Sequence, residues 1–155
     1  MSKIIAILGY EEGYKEKPYL DSENYPTVAC GIKIGPRGAN LSNYTFTVPR
    51  KVGDVWLQVF VDSTINQCRN NTLIASALEQ CNPARQDMLY SMAFQMGIAG
   101  LASFKNTLGM IAKRDFMGAA NGMMNSKWAS QTPNRARRHA TVMRSGDYDV
   151  YKGLI

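Results

Sequence analysis

Glu12 stands immediately before Gly13, at the end of a short apolar stretch; Asp21 follows nine residues later, and Thr27 lies six beyond that, after Asn24-Tyr25-Pro26. Two carboxylates flanking one bond can divide the work of glycoside hydrolysis. One keeps its proton and gives it to the leaving oxygen; the other stays ionised and activates water or balances developing positive charge. For Glu12 the local sequence favours the first part, because the C-terminal end of a helix carries the negative end of its dipole and disfavours an ionised acid. The bland alternative for an isolated acid is a solvated surface glutamate, and the spacing alone does not separate the two.

The elements that must position these side chains are legible in outline. Residues 3–12 carry Ile4, Ile5, Ile7 and Leu8 and read as a short helix capped by Gly13. Residues 14–47 mix Tyr, Thr, Val and Ile with Pro18, Asn24, Pro26, Gly31, Gly35, Pro36 and Gly38, the composition of short strands and tight turns. After Pro49, the residues Val52, Val55, Trp56, Val59 and Phe60 recur at helical spacing and predict an amphipathic helix to about Arg69. Beyond it the chain reads as helical. Asn82-Pro83 and Thr132-Pro133 are each a cap followed by a first-turn proline, Met88, Leu89, Met92, Ala93 and Met96 form an apolar face, and Ser145-Gly146 ends the last helix. Met117, Met123 and Met124 read as core filler. The expected class is α+β, mainly helical: one domain over 1–155, with a small antiparallel sheet lobe at about 13–48, a connecting helix at about 50–70, and a helical lobe formed by about 71–155 together with 1–12. A cleft between two such lobes is a favoured binding site.

Composition narrows the function. Hydrophobic residues make up 45% of the 155, which excludes disorder, and the apolar run Ile4 to Leu8 is far too short for a membrane span or a signal-peptide core. That reading places the protein in a cytoplasm without stable membrane insertion. The net charge of +6 arises entirely in residues 63–155, which hold eleven bases and five acids. A basic half suits an anionic partner such as a bacterial wall, or simply serves solubility. The basic run Pro133 to His139 lacks the aromatic residues that nucleic-acid modules add, so no nucleic-acid partner is expected. Cys30, Cys68 and Cys81 are widely spaced and His139 is the single histidine. The expectation is free thiols in a reducing compartment, with no metal site and no cofactor.

The run E-E-G-Y-K-E-K-P-Y-L-D-S-E-N-Y-P-T-V-A-C-G, Glu11 to Gly31, resembles the catalytic segment of the T-even phage lysozymes. Further matches follow in order: A-F-Q-M-G from Ala93, S-F-K-N-T-L from Ser103, S-K-W-A-S-Q-T-P-N-R-A-R-R from Ser126 and D-Y-D-V-Y-K-G-L from Asp147. Their order and spacing agree over essentially the whole chain, except that residues 31–49 are fewer than the family pattern has. Ile32 stands where the family has a histidine, Ala29 where it has a glycine, and Glu11 where an aspartate is usual.

The resemblance implies a phage-type lysozyme fold and cleavage, with inversion, of the β-1,4 bond from N-acetylmuramic acid to N-acetylglucosamine in peptidoglycan. It implies that Glu12 is the general acid, that Asp21 activates water and that Thr27 helps hold that water. It implies that Arg135 pairs with the catalytic glutamate, that Phe94 and Gln95 line the cleft and that Thr107 touches sugar. It further implies a monomeric, cofactor-free endolysin that waits in the host cytoplasm until another protein opens the membrane. A non-catalytic wall-binding module of the same fold is the alternative; retention of Glu12, Asp21 and Thr27 argues against it. A lytic transglycosylase needs no water-activating aspartate, so Asp21 favours hydrolysis.

Overall fold

The computed structural model describes residues 1–155. The order of elements is α1 (Ile4–Glu12), β1 (Lys15–Leu20), β2 (Pro26–Ala29), β3 (Ile32–Lys33), α2 (Arg50–Arg69), α3 (Thr72–Leu78), α4 (Pro83–Ala102), α5 (Lys105–Ala112), α6 (Phe116–Met124), α7 (Lys127–Gln131) and α8 (Pro133–Ser145). This is a mainly helical α+β chain, as the sequence suggests. It divides into two compact units: Ile5–Phe60, and Val61–Ile155 together with Met1–Ile4. No helix is long and apolar enough to cross a membrane.

The first unit is built on a three-stranded antiparallel sheet in the order β1-β2-β3. Tyr19 pairs with Thr27 across β1 and β2, and Thr27 pairs with Lys33 across β2 and β3, so Thr27 lies mid-sheet. Val28, Ala29, Ile32 and Val48 form its core, with Tyr14, Ile34 and Trp56 packed against them. Ile32, at the family's histidine position, is thus a core residue.

The α2 helix has the expected bounds but not the expected buried face. Val52, Val55, Val59 and Phe60 are exposed, whereas Leu57, Val61 and Cys68 are buried, as is Gly53. The Tyr14 hydroxyl donates to the carbonyl of Val48 at 2.6 Å and its ring lies beneath the Arg50 guanidinium. A Cβ on Gly53 would sit 2.4 Å from the Tyr14 hydroxyl and 2.5 Å from its ring carbon Cε2. Only a residue without a side chain fits the helix against the ring at this point. A mid-helix Gly→Ala change normally gains about 1 kcal/mol. Here Gly53→Ala is expected to destabilise by about 1 kcal/mol, because overpacking against a ring costs more than the helical gain. Urea unfolding measures it; a gain in stability would mean that Tyr14 rotates away freely.

The second unit packs α3 to α8 around Met88, Leu89, Met92, Leu101, Leu108, Ile111 and Met123. Capping follows the sequence in two of three places. Asn82 accepts from Arg85 N at 3.1 Å at the start of α4, and Gly146, in the left-handed region at φ 77°, ends α8 by donating to Val142 O at 2.8 Å. Arg85 also donates to Met143 O and Arg144 O, satisfying carbonyls that the last turn of α8 leaves without helical partners. Thr132, by contrast, makes no side-chain cap on α8; its hydroxyl donates to Trp128 O, the end of the preceding helix. Met123 is core, but Met117 is 61% exposed and fills nothing. Gly97, at φ 81° and ψ 166°, interrupts α4 shortly after Gln95.

Candidate active site

Glu12 is the last residue of α1 and is half-buried. Gly13, at φ 71°, then turns the chain into β1, a conformation glycine adopts without steric cost. A Cβ built on Gly31, in the turn between β2 and β3, would lie 3.9 Å from Glu12 Oε2, so the glutamate carboxyl faces that turn. The turn is entered through Ala29, which holds φ 57° where the family has glycine. A left-handed alanine costs about 1 kcal/mol, so this departure adds local strain beside the carboxylate.

Asp21 sits at the head of the β1–β2 hairpin and builds it. Its Oδ1 accepts from Glu23 N and Tyr25 N, both at 2.9 Å, while its backbone N–H donates to Tyr25 O at 3.0 Å. This is an Asx turn, in which the side chain replaces a backbone acceptor. The second carboxylate oxygen takes no protein hydrogen bond. Thr27 is buried, and its hydroxyl donates to Tyr25 O at 2.8 Å. With its proton committed, Thr27 Oγ1 can only accept from a further partner.

Tyr19 joins these groups. Burial pushes its phenol above the ordinary value, and the carboxylates of Asp21 and Glu12 push in the same direction, as does Cys30. Both carboxylates therefore lie within electrostatic reach of one hydroxyl. The Lys15 ammonium stands 4.2 Å from the centre of the Tyr19 ring. Sequence reading gave Tyr19 no part; the available signal was its place two residues before Asp21 and opposite Thr27.

The remaining residues singled out belong to the other unit. Gln95 is exposed, and its Oε1 accepts from Trp128 Nε1 at 2.8 Å, which fixes the amide; Phe94 beside it is half-buried. Thr107 is buried, and a Cβ on Gly122 would lie 2.6 Å from its hydroxyl, which places it in the seam of α5 and α6. Arg135 is also buried, its Nη2 donating to Ser91 Oγ at 2.9 Å and to Ser91 O at 3.2 Å.

Ser91 and His139 invite comparison with a nucleophile–base pair, since His139 Nε2 lies 2.7 Å from Ser91 Oγ and Tyr151 OH lies 3.1 Å from Nδ1. All three residues are fully buried, so no substrate reaches them. Arg135 donates to one lone pair of Ser91 Oγ, which keeps a second lone pair and its proton, so either imidazole tautomer satisfies the contact with Nε2. The network is a satisfied polar core. Burial holds His139 well below its ordinary value of 6.5, the Arg135 and Arg138 charges adding to the effect and a backbone hydrogen bond with Arg135 opposing it.

The sign of the pH effect follows. Below about pH 6.5 the unfolded chain takes up a proton that the folded chain refuses. The contribution of His139 to stability is thus complete above pH 6.5 and is lost as pH falls below it, by at most about 1.4 kcal/mol per unit. Urea midpoints are expected to fall between pH 7 and pH 5, and His139→Gln to flatten that dependence. An equal slope in the variant would assign the effect to other groups.

No protein-family model matches the chain. A probable T4-type lysozyme of Dictyostelium discoideum is 27% identical over 98% of this chain and 99% of its own length. The pre-baseplate central spike protein Gp5 of Enterobacteria phage T4 is 24% identical over 94% of this chain, which corresponds to 28% of that protein. The peptidoglycan hydrolase gp36 of Pseudomonas phage phiKMV is 32% identical over 81% of this chain and 13% of its own length.

Proposed function

We propose that this chain, a homologue of the T4-type lysozymes over essentially its whole length, is a lysozyme-type glycoside hydrolase acting on peptidoglycan. The observation that carries the reading is the grouping, in one compact unit, of Glu12 at the end of α1 with Asp21 and Thr27 on the hairpin, both carboxylates acting on Tyr19. Glu12 gives its proton to the glycosidic oxygen as the bond to the muramic acid C1 breaks. Asp21 takes a proton from the water that attacks C1 on the opposite face, and the configuration inverts. The Thr27 hydroxyl, already donating to Tyr25 O, accepts a hydrogen bond from the other O–H of that water, which keeps this proton, and so turns a lone pair toward C1. Phe94 and Gln95 are assigned to sugar contacts, the Gln95 amide being held by Trp128.

Digestion of purified peptidoglycan tests this. Fragments with a reducing muramic-acid end, released first as the inverted anomer, are expected. A 1,6-anhydro end would make the protein a transglycosylase, and an absence of fragments despite wall binding would make it a binding module. The setting we infer is lysis of a bacterial host at the end of a phage cycle, from a monomer held in the host cytoplasm until the membrane is opened; a phage peptidoglycan hydrolase among the relatives supports it. Expression in a bacterium with and without a membrane-permeabilising agent tests the setting: lysis is expected only with the agent.

A further inference from the structure

The sheet-containing unit has a second concave surface that shares no residue with Glu12, Asp21 or Thr27. It is a cavity of about 370 Å³ between β1 and residues 41–47. Its walls include Lys17 and Pro18 of β1 and Tyr44, Thr45, Phe46 and Thr47. The volume is that of an ordinary small-ligand site. Two features make it preformed. Val48 N donates to Glu16 O at 2.8 Å, which ties the end of the loop to β1. Tyr44 lies on Gly35 and Pro26, so close that a Cβ on Gly35 would meet its hydroxyl.

Ser42, which also lines the cavity, is committed: its hydroxyl donates to Asn40 Oδ1 at 2.8 Å. The Lys17 ammonium lies at the cavity wall and is exposed, apart from pairs such as Lys33–Glu23 and Arg50–Asp54. The hydroxyls of Tyr44, Thr45 and Thr47 make no hydrogen bond within the protein. No acidic side chain lines the cavity, and Phe46 stays 46% exposed at its wall. One uncompensated cation, uncommitted hydroxyls and an apolar wall suit a ligand that carries a carboxylate, amides and methyl groups. It lies, moreover, in the segment where this chain departs in length from the lysozyme pattern.

We propose that this cavity binds the carboxylate-bearing peptide stem of peptidoglycan, with Lys17 on a stem carboxylate, the threonine hydroxyls on its amides and its alanine methyls against Pro18 and Phe46. The choice of peptide over glycan rests on charge: the glycan strand, whose lactyl carboxyls are consumed in amide bonds to the stem, offers Lys17 no anion, whereas the stem does. The inference rests on the wall-hydrolase reading for its substrate, but its test does not use hydrolysis.

The probe is the synthetic stem tetrapeptide L-Ala-γ-D-Glu-L-Lys-D-Ala, which has no glycosidic bond, titrated into the full chain and followed by amide NMR shifts. Shifts confined to Lys17 and residues 44–47 are expected, with affinity roughly two- to fivefold weaker for Lys17→Glu, the scale of one partly exposed charge pair, and kept by Lys17→Arg. The same peptide with both free carboxyls amidated is expected not to bind. Shifts elsewhere, equal binding of the amidated peptide, or an unchanged affinity in Lys17→Glu would each overturn the proposal. If the tetrapeptide binds here but the wall is never cut, the glycosidase reading falls and the peptide site stands. If the wall is cut and the tetrapeptide does not bind, the reverse holds.

Discussion

Glu12→Gln is expected to leave the protein folded and to lower wall hydrolysis about 10²–10⁴-fold, the usual worth of a positioned general acid. Glutamine keeps the shape of the side chain at the end of α1 but has no proton acidic enough to give to a leaving oxygen. The position is half-buried and lies just before the left-handed Gly13, so the isosteric change disturbs neither the helix end nor the turn. Fragment release from purified wall, measured beside the thermal midpoint, separates catalysis from stability. Glu11→Gln is the matched control and is expected to retain activity. Hydrolysis by folded Glu12→Gln within about tenfold of the unmodified protein would remove Glu12 from the role of acid.

The second large effect belongs to Asp21, where structure and chemistry are entangled in one carboxylate. Oδ1 holds the hairpin through Glu23 N and Tyr25 N, and the reading above gives the remaining oxygen to the attacking water. Asp21→Asn keeps an oxygen for the two backbone donors but cannot accept a proton from water. It is therefore expected to unfold near the normal midpoint while losing hydrolysis about 10²–10⁴-fold. Asp21→Ala removes the turn acceptor as well and is expected to cost about 1–2 kcal/mol in addition, through two donors that lose their partner. Both variants inactive, with only the alanine destabilised, is the pattern that a base with a structural oxygen produces. Activity retained by asparagine and lost by alanine would show that the hairpin geometry matters and the charge does not.

Much of the candidate site was legible because its determinants are short-range. Gly13 after Glu12, the turn residues Asn24 and Pro26 after Asp21 and the Asn82 cap each act through groups within a few residues of one another, and the chain dictates such contacts before it folds. The resemblance to the lysozymes added roles for Glu12, Asp21 and Thr27 that spacing alone left open. It gave no sign of Tyr19, because what marks Tyr19 is its pairing with Thr27 on another strand and its nearness to a helix end.

What the sequence determined by itself is the α+β order of elements, the bounds of α1, α2 and α8, the start of α4 and the presence of two carboxylates and a threonine at the first helix end and hairpin. Tertiary structure alone decided which side of each element is used. The α2 helix offers two stripes at helical spacing and buries the one with Leu57, Val61 and Cys68, where Gly53 lies against Tyr14, 39 residues away, while Val52, Val55 and Val59 face solvent. Thr132 commits its hydroxyl to the helix before α8, and the lone His139 is held neutral by burial and by the Arg135 and Arg138 charges, while Ser91 and Tyr151 supply its ring partners. Capping is a matter of local hydrogen-bond supply, whereas burial depends on what the rest of the chain brings to the surface of an element.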